Sequence, residues 1–97
     1  MPSGDITFIP NLYVTFNYSE KSGSVRYTTY ISIDKVYEIS NFENVCIGRV
    51  VNIDFNEMII TVDCSSEYAT VVRKFDLDCI EYMFECDSEK KRIKYFG

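Results

Sequence analysis

The sequence has no histidine and no tryptophan, and only two prolines and four glycines. Without histidine the chain lacks the one side chain that ordinarily changes charge near neutral pH, and with it the commonest general base and metal ligand. A serine or cysteine nucleophile would need another base. Cys46, Cys64, Cys79 and Cys86 form no CxxC pair, the spacing that marks most zinc sites. No glycine-rich phosphate loop is present. No run approaches the roughly 18 apolar residues of a membrane-crossing helix, and the start, MPSGDITF, has neither the basic residues nor the apolar run of a secretory leader. Few prolines and glycines mean short loops. These absences point away from an enzyme, from a bound cofactor or metal, and from a membrane partner. They favour reduced thiols, each packed as a small hydrophobe, in a cytoplasm.

A basic excess is also missing. The 97 residues carry a net charge of −5. Lys90, Lys91, Arg92 and Lys94 hold four of the ten basic residues, and the first 89 residues set six basic against fifteen acidic groups, a balance of −9. A phosphate backbone is held by lysine and arginine, so the body of the chain repels one.

What the chain has is strand-forming material. Apolar residues make up 46% of it, including eight tyrosines and seven phenylalanines, and the β-branched and aromatic types that favour strands predominate. Residues 12–18, LYVTFNY, alternate with period two, SEKSGS at 19–24 has turn chemistry, and 25–33 resume the alternation, which reads as a hairpin. Residues 33–44 are ambiguous: Ile33, Val36, Tyr37 and Ser40 fit helical spacing, while KVYEIS also alternates, and a short helical turn or irregular strand is expected. Residues 45–54, 58–64, 69–75 and 79–86 read as further strands, with a bulge or bend at Gly48 and a tight turn at Asp76–Asp78. DSEK at 87–90 would close a last hairpin with 91–96. Short strands at regular spacing in one domain predict an all-β fold: a small, strongly bent sheet or barrel of five to seven antiparallel strands with at most one short helix. The expected core is Leu12, Val14, Phe16, Val25, Tyr27, Ile31, Val51, Ile53, Ile60, Val62, Val71, Ile80, Tyr82 and Phe84.

The stretch GRVVNIDFNEMIITVDC, Gly48 to Cys64, carries a resemblance. Gly48-x-Val50-x-x-x-Asp54, then Met58 and an alternating strand ending in Asp63, resembles the first motif of Sm-like small barrels. KFDLDCIEYM, residues 74–83, sits where that fold, like the SH3-like barrels, has a tight turn and a closing strand. The same stretch is similar to YolD-like bacterial and phage proteins. The resemblance covers residues 45–84 and implies a barrel. It does not carry the RNA site across: where the family has a Met-Asn pair this chain has Met58-Ile59, and where it has Arg-Gly this chain has Leu77-Asp78-Cys79.

Three functional classes remain. The first is a non-catalytic protein-binding module. Exposed tyrosines make strong contacts, and an acidic protein can occupy a basic channel built for nucleic acid. Asp76, Asp78, Glu81, Tyr13 and Tyr30 are its candidate contacts, and a basic, nucleic-acid-handling enzyme is a candidate partner. A composition rich in Ile, Asn, Lys, Tyr and Phe suits a low-GC bacterial or phage gene, and hence a small phage or mobile-element accessory or inhibitor. The second class is nucleic-acid binding through the basic–aromatic tail, with Lys90, Lys91, Arg92, Lys94 and Tyr95 as candidates. The third is a homo-oligomeric structural component. For Asp76 and Asp78 the ordinary role of an i, i+2 pair is to cap a turn.

Overall fold

The computed structural model describes residues 12–65 and 67–93. The expected loose start at residues 1–5 and the end of the basic tail, with Lys94 and Tyr95, lie outside them. The described residues form seven antiparallel strands and no α-helix: β1 (Leu12–Glu20), β2 (Gly23–Ile31), β3 (Val36–Ser40), β4 (Val45–Asp54), β5 (Ile59–Asp63), β6 (Val72–Asp76) and β7 (Tyr82–Cys86). One 3-10 turn, Leu77–Cys79, links β6 to β7.

β1 and β2 form a hairpin of their own, paired from Leu12↔Ile31 to Glu20↔Gly23. Gly23 closes it with φ +118°, a conformation costly for any residue with a Cβ. The other strands form one sheet in the order β6-β5-β4-β3-β7. The all-β expectation holds. Closure into a barrel is not what these two sheets show.

Residues 36–40 are a strand, not a helical turn, and β3 sits between β4 and β7. Tyr37 and Ile39 are fully buried on its core face. Opposite Tyr37 stands Gly48. A Cβ there would lie 2.5 Å from the Asp63 carbonyl oxygen and 2.8 Å from Val62 Cγ1, so the glycine is required by the close approach of β5. The bulge falls two residues later, where the β4–β5 register shifts between Val50 and Asn52. Val50 continues the buried set of Cys46 and Gly48, and Val51 is 37% exposed, which corrects the placement of Val51 in the core. Likewise Met83, not Tyr82 or Phe84, faces the buried side with Ile39.

Tyr82 and Phe84 are half-buried because the hairpin covers the opposite face of β7. Phe16, Tyr18 and Tyr27 meet Phe84 edge-on at ring separations of 5.1, 5.1 and 5.2 Å, and Tyr18 meets Tyr82 at 5.4 Å. Such edge-to-face pairs each add about 0.5–1.5 kcal/mol beyond their buried area. Thr29 Oγ1 also donates to the Met83 carbonyl at 2.6 Å. At the hairpin's other end the Tyr37 hydroxyl accepts from Ser32 N–H (2.8 Å) and donates to the Tyr30 carbonyl (2.9 Å).

The cysteines depart from the expectation of four packed thiols. Cys46 and Cys64 are joined in a disulfide, with Cα atoms 6.5 Å apart. The offset register of β4 and β5 brings them together, and no sequence spacing announces it. Cys79 is free and exposed, and Cys86 is free and buried.

The expected strand at 69–75 begins later, at Val72, and Met58 belongs to the β4–β5 turn with φ +55°. Of the expected last hairpin the described residues show the bridge Cys86↔Arg92, and its residues 94–96 lie outside them.

Candidate functional site: the acidic end of the sheet

Two turns meet at one end of the five-stranded sheet. The β4–β5 turn, residues 55–58, is shaped by Asp54, whose Oδ1 accepts from the N–H groups of Asn56 (3.0 Å) and Glu57 (3.1 Å). The 3-10 turn after β6 is shaped in the same way by Asp76, whose Oδ1 accepts from Asp78 N–H at 2.9 Å. Leu77 N–H then donates to the Met58 carbonyl at 2.9 Å and ties one turn to the other. In the register, Asp54 and Asp76 flank Ile59 from its two sides. They therefore point to one face, with Cα atoms about 10 Å apart at the usual strand spacing.

Asp54, Glu57, Asp76 and Asp78 are thus gathered on one end, all exposed, with the exposed ring of Phe55 among them. Among the described residues none of these carboxylates is in a salt bridge, and none of the basic side chains lies in either turn. Sequence reasoning named Asp76 and Asp78 but missed Asp54 and Glu57, which adjoin them only through the pairing of β5.

Glu81 belongs elsewhere. It accepts from Ser40 Oγ at 2.5 Å, where Ser40 is buried at the end of β3. Reversing Asp76 or Glu81 would therefore remove a turn cap or the acceptor of a buried hydroxyl, as well as a negative charge. Tyr13 and Tyr30 are directly paired on the outer face of the hairpin, 54% and 60% exposed, with rings 5.7 Å apart. Asn17 and Arg26 pair further along that face.

The basic tail is used differently from the expectation. Arg92 folds back onto Glu38, its Nε 3.0 Å and Nη2 2.7 Å from the two carboxylate oxygens. Its guanidinium carbon stands 4.3, 5.3 and 5.4 Å from the ring centres of Phe84, Tyr18 and Tyr82. The hydrogen bonds from Arg92 hold the Glu38 carboxyl below the usual glutamate range, against the opposing effect of burial. Burial, then the hydrogen bond to Glu38, pushes the Tyr82 phenol up. Lys91 lies 3.6 Å from Glu89, both exposed. Lys90 is exposed at a left-handed turn position, φ +65°. Arg92 is therefore spoken for by protein groups.

A cavity of about 230 Å³ lies between the β3–β4 turn and β6, lined by Asn41, Asn44, Val72, Arg73, Lys74 and Phe75. Among the described residues no group of three or more metal-ligating side chains comes together.

Compared with family models, curated proteins and solved structures, the chain finds no match.

Proposed function

We infer that this protein is a non-catalytic protein-binding module whose acidic end docks on a basic surface of another protein. The observation that carries the reading is the meeting of two capped turns, which brings four exposed carboxylates and the exposed Phe55 to one end of the sheet. An apolar anchor within a charged rim is the anatomy of a protein interface. A single-sign rim steers a partner of opposite charge. The natural partner class is an enzyme that handles nucleic acid, because its phosphate-binding surface is already basic. A small phage or mobile-element accessory or inhibitor, working in a bacterial cytoplasm, fits that role.

The Sm-like reading of the fold is supported by the strand order β6-β5-β4-β3-β7 and by the single 3-10 turn between β6 and β7. In that family the same two turns meet nucleic acid, and here they are acidic. Binding of nucleic acid at this end would set phosphates against carboxylates. Among the described residues no strand pairs with the outer edge of β6, and this favours one alternative, a homo-oligomer formed by strand addition, which a solution mass measurement would detect.

Glu57 and Asp78 give the cleanest test, since neither caps a turn. The doubly reversed Glu57→Lys/Asp78→Lys protein should fold normally and lose capture of its partner from host extract. The capture by the unaltered protein should weaken as salt rises. Equal capture by both proteins would reject the acidic end as the contact.

A further inference from the structure

The hairpin and the five-stranded sheet meet around one cation. Three aromatic rings and a carboxylate surround the Arg92 guanidinium, and Tyr18 Oη accepts a further hydrogen bond from Nη1 at 3.3 Å. The rings come from β1 and β7, and Glu38 from β3. This cage is a fixed part of the fold, since Phe84 and Tyr18 also hold the hairpin to the sheet.

The backbone that carries the occupant is less embedded than the cage. Residues 87–92 are all exposed. Their turn rests on hydrogen bonds from Asp87 N–H to the Lys91 carbonyl (2.8 Å) and from Lys90 N–H to the Asp87 carbonyl (3.0 Å). Two more come from Glu89 and Lys91 N–H to Asp87 Oδ1. Among the described residues its backbone joins the sheet by the Cys86↔Arg92 bridge and the bond from Ile93 N–H to the Glu85 carbonyl. Lys90 adopts its left-handed conformation without being glycine, a strained backbone position. The Arg92 side chain remains 35% exposed while Glu38 is only 16% exposed, so Arg92 sits at the mouth of the cage and the carboxylate opens to solvent as Arg92 leaves.

We propose that Glu38 with the rings of Tyr18, Tyr82 and Phe84 forms an exchangeable guanidinium site: Arg92 fills it within the chain, and an arginine side chain of a basic partner fills it when the C-terminal segment lifts away. The chemistry selects arginine. The two Glu38 oxygens meet two nitrogens of one planar fork, and the guanidinium carbon lies over the three rings. A lysine ammonium can sit over a ring but cannot offer the fork. The inference deepens the protein-binding reading and rests on it only for the partner's being basic. The tail would then act as a built-in competitor that keeps the cage closed to weak ligands.

The test needs no partner. A blocked Gly-Arg-Gly tripeptide is titrated into the Arg92→Ala protein and the unaltered one, followed by the ring signals of Tyr18, Tyr82 and Phe84. Arg92→Ala should bind saturably, about tenfold or more tighter than the unaltered protein, whose cage is mostly occupied. Adding Glu38→Gln should abolish binding, and a Gly-Lys-Gly peptide should bind much more weakly. A folded Arg92→Ala protein that ignores the peptide, or binds both peptides alike, overturns the proposal. Should Arg92→Ala not fold, the unaltered protein answers instead. Its Arg92 Nε–H signal should move saturably as the peptide displaces it, and a signal unmoved at the highest peptide concentration overturns the proposal. Failure here leaves capture through Glu57 and Asp78 to stand or fall by its own measurement.

Discussion

Gly48 has no room for a side chain. A methyl group there would press on the Asp63 backbone, which cannot move without opening the β4–β5 ladder. Overpacking of this kind costs about 1–3 kcal/mol. Gly48→Ala should lower the unfolding free energy measured in urea by that much, and an unchanged value would mean that β5 is free to shift. Glu38 gives a second residue-scale expectation, in pH. Its folded pKa is depressed, with Arg92 as the main cause. The stability it contributes is therefore fully present above the ordinary glutamate pKa of about 4.3 and is lost as pH falls through the lower folded value. Thermal unfolding followed from neutral pH into acid should show an acid loss that Glu38→Gln lacks. If the two proteins lost stability in parallel, the Glu38–Arg92 pair would contribute nothing. The glycine could be read in the sequence as a special backbone position, though not the reason for it. The Glu38–Arg92 pair could not be read, because the partners are 54 residues apart and only the β3–β7 pairing makes them neighbours.

The strands were legible wherever one face is wet. β1 and β2 alternate cleanly, and the sequence places them within two residues. β3 was not legible, because Ile33, Val36, Tyr37 and Ser40 satisfy helical spacing while KVYEIS also alternates over so short a run. β7 misled in another way. Both its faces are covered, one by the core and one by the hairpin, so alternation no longer says which residues point inward. β4 misled at its bulge, which a period-two count cannot foresee. The junction of hairpin and sheet depends on Tyr37, whose hydroxyl bridges Ser32 N–H and the Tyr30 carbonyl. Tyr37→Phe keeps the ring and removes both bonds, leaving partly buried backbone groups unpaired at a cost of about 1–3 kcal/mol. Amide exchange at Ser32 should accelerate while exchange in the middle of β4 and β5 slows or quickens only with global stability. Uniform acceleration throughout would show that hairpin and sheet unfold as one unit.

At the scale of the molecule, charge was legible and the disulfide was not. The acidic balance predicts a surface that repels phosphate, and the fold concentrates part of it on one end. The cysteine pair follows from strand pairing, which composition does not reveal. Cys46 and Cys64 close a loop of 18 residues, a constraint worth about 3 kcal/mol in the chain-entropy account. Oxidised protein should therefore present two alkylatable thiols. Cys79 should react at once. Cys86 should react slowly, because it is buried and its thiol pKa is raised by that burial, which leaves little thiolate. Reduction should lower the urea midpoint, and Cys46→Ser/Cys64→Ser should reproduce the reduced value. The same chemistry bears on where the protein works. A bacterial cytoplasm keeps such pairs reduced, so trapping thiols in the producing cell before lysis should find all four cysteines alkylated if the cytoplasmic inhibitor reading holds. Two protected cysteines at that moment would place the chain in an oxidising compartment and remove cytoplasmic nucleic-acid enzymes from among its proposed partners.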